Sequence, residues 1–280
     1  MPELVGPPRV GSPGVGPLVG GLRAFHAGAM VSRADLRVVY TWKTWTFGWL
    51  VRIVCQVVFY ALIGRLLGSD DDVARLFTGA AVMAAVTEVM LVCASTTWER
   101  MEGTLPMLVT APGGLGATLA GRSVLWLPSG LATSMVCLFV VGPFFHVRPS
   151  LPGGLAMAVL LVVGTLGTYA VGLVLAGLVL WVPDLRNLAS TVAVGLMTAC
   201  CGAVVPVTYW PGWVQGAVQA LPITHALVGI HAAREGTLTA AGFLDQLGLT
   251  AGTGVLWLAL SGLVIGFFAN VTRRSGRYEL

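Results

Sequence analysis

The sequence predicts an all-α membrane protein of six transmembrane helices, and three observations carry the prediction. Six apolar runs fill most of the 280 residues: Thr46–Leu67, Leu76–Thr97, Val124–Phe145, Leu155–Trp181, Ala189–Val207 and Gly248–Asn270. Each is near or beyond the ~20 residues with which an α-helix crosses ~30 Å of hydrocarbon. Inside a bilayer the backbone must satisfy its own hydrogen bonds, which selects helices for such runs. The second observation is composition. Apolar residues make up 56% of the chain and charged residues 10%, with a mean hydropathy of +0.85, outside the ordinary globular range. The third is charge asymmetry. With both termini in the cytoplasm, 11 basic residues lie in inner segments, among them Arg23, Arg33, Arg100, Arg122, Arg186 and Arg273. Only 4 lie outside, Arg65, Arg75, Arg148 and Arg234, while Arg52 falls within a run. Basic residues set orientation in this sense.

Residues 1–22 scatter prolines among glycines, with no basic cluster ahead of an apolar core. They read as a flexible cytoplasmic tail and not as a cleaved leader. Residues 23–45 read as an amphipathic helix lying on the inner interface. Leu36, Val39, Tyr40 and Lys43 are at helical spacing, and Trp42, Trp45 and Trp49 recur on one face. Tryptophan favours the headgroup level, so this helix turns into span one there. Residues 46–272 hold the six spans, and 273–280 form a second, basic cytoplasmic tail. Between spans five and six, the stretches Gly212–Ala220 and Ile223–Ala233 follow Pro211 and Pro222. Proline at a helix start loses no hydrogen bond, and neither stretch is long enough to cross. The prediction is a re-entrant helical hairpin in the outer leaflet. Gly164, Gly167, Gly172 and Gly177, and the Gly262-x-x-x-Gly266 pair, offer surfaces where helix backbones could approach closely.

Several functions are excluded. The basic residues form no patch for nucleic acid. All five cysteines, Cys55, Cys93, Cys137, Cys200 and Cys201, fall within the spans, where they read as small core residues and not as a disulfide framework. The string GGLGATLAGRS lacks the lysine of a phosphate-binding loop, and no HExxH or GxSxG occurs. Any work the chain does must therefore draw on a partner or an ion gradient. His225 and His231 stand too far apart for a joint metal site on one helix. They read as interfacial polar groups, with the lining of an exit path as a second reading.

Glu88 stands mid-span, ~15 Å from the inner end of span two at 1.5 Å per residue, and Arg52 lies ~9 Å into span one. Ionisable groups at such depth are functional candidates by default. The expected arrangement is a structural Arg52–Glu88 ion pair. The alternative is a direct substrate or proton role for Glu88, as in an ion-coupled secondary transporter.

The inner loop after span two holds the most specific string, WERMEGTLPMLVTAP from Trp98 to Pro112. Glu99, Arg100 and Glu102 cluster at a helix end, Gly103 breaks the helix, and Thr104 can cap a short amphipathic one, with Pro106 tolerated in its first turn. Such an element suits docking of a soluble partner; the plain alternative is a solvated loop. The string resembles the ER-x-x-GTLE-x-L-x-x-[ST]-P signature of ABC transporter type-2 permeases of the drug- and polysaccharide-export branch. Glu99, Arg100, Gly103, Thr104, Leu105, Leu108, Thr110 and Pro112 match as they stand, while Pro106 replaces the family's glutamate. The stretch after span five is similar to a second family pattern, with Pro206, Pro211, Trp213, Pro222 and Thr224 in place, next to His225.

The resemblance covers about residues 24–275 and implies a permease subunit of an exporter in the plasma membrane. In that family two permeases, identical or paralogous, join two separate ATPase subunits that bind ATP and magnesium. The resemblance implies that Glu99–Leu108 is a coupling helix seated in an ATPase groove, and that Arg33–Trp45 is a second contact. With few charges in the spans, a hydrophobic or amphipathic drug, antibiotic or lipid-like cargo is expected, and a lipid-linked glycan second.

Overall fold

The computed structural model describes residues 17–39, 41–101, 103–110 and 114–275, and among them there is no strand. Helix α1 (Pro17–Val39) begins within the stretch expected to be a tail. Pro17, its first described residue, is tolerated in a helix's first turn, where the missing N–H is not needed. A π-helical turn over Thr44–Leu50 leads into α2 (Val51–Leu67). Of the three predicted anchors, Trp45 donates Nε1–H to Ser129 Oγ at 3.0 Å, and Trp42 is exposed.

Gly68 ends α2 in the left-handed region (φ 94°) that only glycine adopts freely. Ser69 then caps α3 (Asp70–Val89), accepting the Asp72 N–H at 3.0 Å. Asp70, Asp71 and Asp72 fill the first turn, where the helix dipole favours negative charge. α3 is the centre of the bundle. Its span is 89% buried, against 22% for the span of α2. Alanines and Gly79 make it thin enough for α2, α7, α8 and α9 to close around it. The helix breaks at Met90–Leu91 and resumes as α4 (Val92–Met101).

Next come α5 (Leu105–Thr110) and α6 (Leu115–Ser123), which runs almost directly into α7 (Trp126–Met135), a π turn over Val136–Val141 and a tight turn to Phe145. The apolar segment expected to begin at Val124 therefore reaches back to Leu115. Phe145 stacks on Phe77 with ring centroids 4.9 Å apart. Helix α8 (Leu151–Val179) carries the glycine stripe, and each glycine receives a neighbour. A Cβ there would lie 2.6 Å from Ala226 Cβ at Gly164, 2.6 Å from Pro222 Cβ at Gly167, 2.6 Å from Val92 Cγ1 at Gly172 and 2.9 Å from Val264 Cγ1 at Gly177. The Gly262 and Gly266 pair differs: among the described residues nothing lies within 4 Å of a Cβ built on either, so no close approach is seen there.

Among the described residues, five helices are long and apolar enough to cross a membrane: Thr44–Leu67, Asp70–Thr96, Leu115–Phe145, Leu151–Val179 and Ala240–Arg274. The expected fifth span, Ala189–Val207, departs from prediction. Its helix α9 (Arg186–Cys200) has 15 residues, and the chain then bends over 201–205. Gly202 takes a left-handed φ of 94°, and Pro206 lacks an amide donor. The irregular backbone is wrapped in protein. Cys201 and Ala203 are fully buried, and Ala203 lies so close to α3 that a Cβ on Gly79 would overlap its carbonyl oxygen.

Helices α10 (Gly212–Val218) and α11 (Pro222–Glu235) begin at the two predicted prolines. The start of α11 lies against Gly167, about 24 Å along α8 at 1.5 Å per residue. Its end reaches Gly153, near the start of α8. The last helix, α12 (Ala240–Ser275), runs parallel to α8. Their first turns share a cavity wall with Ser150, Leu155, Ala240 and Phe243, and their far ends meet at Trp181 and Phe268, ring centroids 5.3 Å apart.

Candidate functional site

The far ends of α8 and α12 gather α4, α5, α6 and α1 into one polar layer, and the loop singled out by sequence lies there. Gly103 has φ 70°, the left-handed turn that breaks α4 from α5. Thr104 then starts α5. Its carbonyl accepts the amides of Met107 and Leu108 at 3.1 and 3.2 Å. Its hydroxyl donates to Glu99 Oε2 at 2.6 Å, and its own N–H reaches the Glu99 carbonyl at 2.9 Å.

Glu99, only 2% exposed, is the hub of the loop: its other carboxylate oxygen forms an ion pair with Arg122 Nε on α6. Leu105 and Val109 are buried against Leu115, Leu119, Leu180, Ile265 and Phe268, with Leu108 packed beside them. Arg273, at the end of α12, donates from Nε and Nη2 to the Val109 carbonyl at 2.8 and 2.6 Å. The short helix is thus pinned on three sides. Its outer face carries Met107, 74% exposed, and Trp98 stands exposed nearby. Glu102 and the side chain of Arg100 lie outside the described residues.

Arg122 and Arg273 are the residues that sequence reasoning missed, having counted them only as positive-inside charges. Each acts on a partner far away in sequence, so no local motif announces the pairing. α6 in turn supports α1. A Cβ on Gly28 would lie 2.6 Å from the Thr118 carbonyl oxygen, and one on Gly121 would overlap the Phe25 carbonyl oxygen. Backbones therefore touch directly, and Leu22 and Met30 of α1 stay exposed.

The other candidates separate. The expected Arg52–Glu88 pair is not formed. α2 turns Ile53, Val57, Ala61 and Gly64 inward against α3. That leaves Arg52 on the exposed side, its guanidinium 4.5 Å from the Trp49 ring centroid. Glu88 is fully buried beside Gly130, and neither carboxylate oxygen has a hydrogen-bond partner among the described residues. In the hairpin, Thr224 Oγ1 donates to the Val218 carbonyl at 2.7 Å, and His225 Nε2 sits 2.9 Å from the Gln219 carbonyl. These two close the turn between α10 and α11. Pro206, Pro211 and Pro222 stand at the starts of its short helices, and Trp213 is exposed.

The helical bundle, with five apolar helices of spanning length among the described residues and a polar layer at one end, defines a multi-pass membrane protein. The family model described as ABC-2 type transporter matches residues 28–233, which takes in α2 to α10, most of α1 and nearly all of α11. The chain belongs to that family and is a membrane subunit of an ABC transporter. A comparison with curated proteins returned no match.

Proposed function

We propose that this chain is the permease subunit of an ATP-driven exporter, and that α5 is the element through which a separate ATPase drives it. The observation that carries the reading is the form of α5: a short helix anchored to three neighbours, with Met107 exposed on its outer face. A segment so held can pass a push into the bundle instead of yielding to it. α1, with Leu22 and Met30 exposed, is the second ATPase contact. Two such chains, or one with a paralogue, pair with two ATPase subunits, which bind ATP and magnesium while this chain binds no cofactor. ATP binding favours one arrangement of the assembly over the other, and the bundles rock between inward- and outward-facing states.

In this reading the α5 end faces the cytoplasm of a plasma-membrane protein, and both termini lie there. α8 and α12 run parallel, so the chain between them must return across the membrane. α9 and the buried bend at 201–206 make that sixth crossing, irregular backbone at membrane depth being tolerated only where protein covers it. α10 and α11 then form a re-entrant hairpin whose turn, near Pro222, dips to the level of Gly167. The apolar spans favour a hydrophobic or amphipathic cargo, drug, antibiotic or lipid-like, over a free sugar; a lipid-linked glycan is the second candidate. A second mode of coupling rests on Glu88: a buried carboxylate without a hydrogen-bond partner among the described residues is what an ion-coupled carrier would need.

The test is co-reconstitution of the chain with its ATPase in proteoliposomes loaded with fluorescent amphipathic probes. Movement that needs ATP and survives ionophores supports the exporter. Movement abolished by ionophores and indifferent to ATP would transfer the case to Glu88.

A further inference from the structure

We propose that Arg122 is a positioning residue that joins α5 to α1 through α6, so that the two elements facing the ATPase move as one rigid plate. The inference rests on the reading of α5 and α1 as the ATPase contacts. Every link in the plate is visible. Thr104 starts α5 and is held by both the carboxylate and the backbone of Glu99. Glu99 is gripped by Arg122. Arg122 directly follows Gly121, where α6 lies in backbone contact with Phe25 of α1, and Gly28 makes the same close approach to Thr118.

Backbone-to-backbone seams leave no flexible side chain to absorb a displacement, since packed interiors transmit strain. A charge-assisted pair with one buried member resists separation, because parting it would leave the buried Glu99 charge without its partner. Leu105 and Val109, packed on Leu115 and Leu119, back the ion pair with an apolar seam. A push on α5 or on α1 therefore reaches α7 through α6, since α6 and α7 belong to one apolar segment, Leu115–Phe145, and Trp126 begins α7 three residues after Ser123 ends α6. Without Arg122 the apolar seam remains, but Glu99 no longer fixes the angle of α5 on α6.

Two measurements test the plate. In the full chain alone, in lipid nanodiscs, exposed Cys55 and half-buried Cys200 are replaced by serine, and spin labels are placed at Met30→Cys and Met107→Cys. A single narrow distance distribution is expected, broadened at least twofold by Arg122→Ala and kept narrow by Arg122→Lys. In the complex with its ATPase, labels at Leu66 and Leu155, both exposed near the opposite end, report the ATP-driven change there. Arg122→Ala is expected to keep the ATPase bound and hydrolysing while that change falls by half or more, and Arg122→Lys to restore it. A distribution in Arg122→Ala as narrow as wild type, or an unaltered response at the far end, overturns the plate. If no ATPase binds the wild-type chain, the functional reading fails, and the first measurement still decides whether Arg122 fixes α5 to α1.

Discussion

Gly167→Ala tests the seating of the α10–α11 hairpin against α8. A Cβ at Gly167 would lie 2.6 Å from Pro222 Cβ, 2.8 Å from Pro222 Cγ and 3.3 Å from Gly254 Cα. Carbon atoms pack best at about 3.5–4.0 Å, so α11 must withdraw from α8 by about 1 Å. It cannot slide toward α12, whose Gly254 already meets Gly167. Overpacking of this kind costs about 1–3 kcal/mol, against a gain of about 0.5–1 kcal/mol for replacing a mid-helix glycine by alanine. The expected net effect is a loss of about 1–2 kcal/mol. Gly195→Ala, on α9, where a Cβ would meet nothing within 4 Å among the described residues, is the matched control and should stabilise by about 0.5–1 kcal/mol. Thermal unfolding in mild detergent, read by size-exclusion chromatography of the surviving monodisperse fraction, reports both. If Gly167→Ala melts at or above wild type, Pro222 does not sit on α8 and the hairpin is placed wrongly.

Three further predictions follow from buried polar contacts and backbone geometry. Glu88→Leu should raise the melting temperature, because the carboxyl has no hydrogen-bond partner among the described residues and an unsatisfied buried polar group costs about 1–3 kcal/mol; a lower melting temperature would point to a partner at Glu88 instead. Arg273→Gln should cost about 1.5–3 kcal/mol by removing charged donors from the Val109 carbonyl, and hydrogen exchange of the 105–110 amides should rise; unchanged exchange would free α5 from α12. Gly103→Ala should cost about 1–2 kcal/mol for its left-handed backbone, with open space around it excluding a steric cause, measured by the same melting assay.

Long periodic or apolar segments were legible in the sequence because burial in lipid demands them. The starts of α10 and α11 were legible too, since proline marks a helix beginning locally. Three features were hidden for physical reasons. α9 stops at Cys200 because the backbone turns at Gly202 while neighbouring protein covers the bend, and apolar composition continues past that point. Arg52 and Glu88 are at compatible depths, but rotation about the helix axis separates them, and depth alone carries no rotation. At the loop after α4 the motif drew attention to Glu99 and Thr104, yet the residues that anchor them, Arg122 and Arg273, are distant in sequence. The glycines divide in the same way. Those of α8 meet partners, whereas Gly262 and Gly266 share the spacing without the neighbour.

The central claim is that a separate ATPase engages this subunit at α5. A photo-cross-linker at Met107, with a control at Leu66 on the opposite end, followed by purification of the tagged chain and mass spectrometry of the adducts, tests it most directly. The account predicts a subunit carrying a phosphate-binding loop, attached at Met107 and absent at Leu66. Repeated recovery of the intact chain with no ATPase adduct at Met107, or with the adduct only at Leu66, would contradict it.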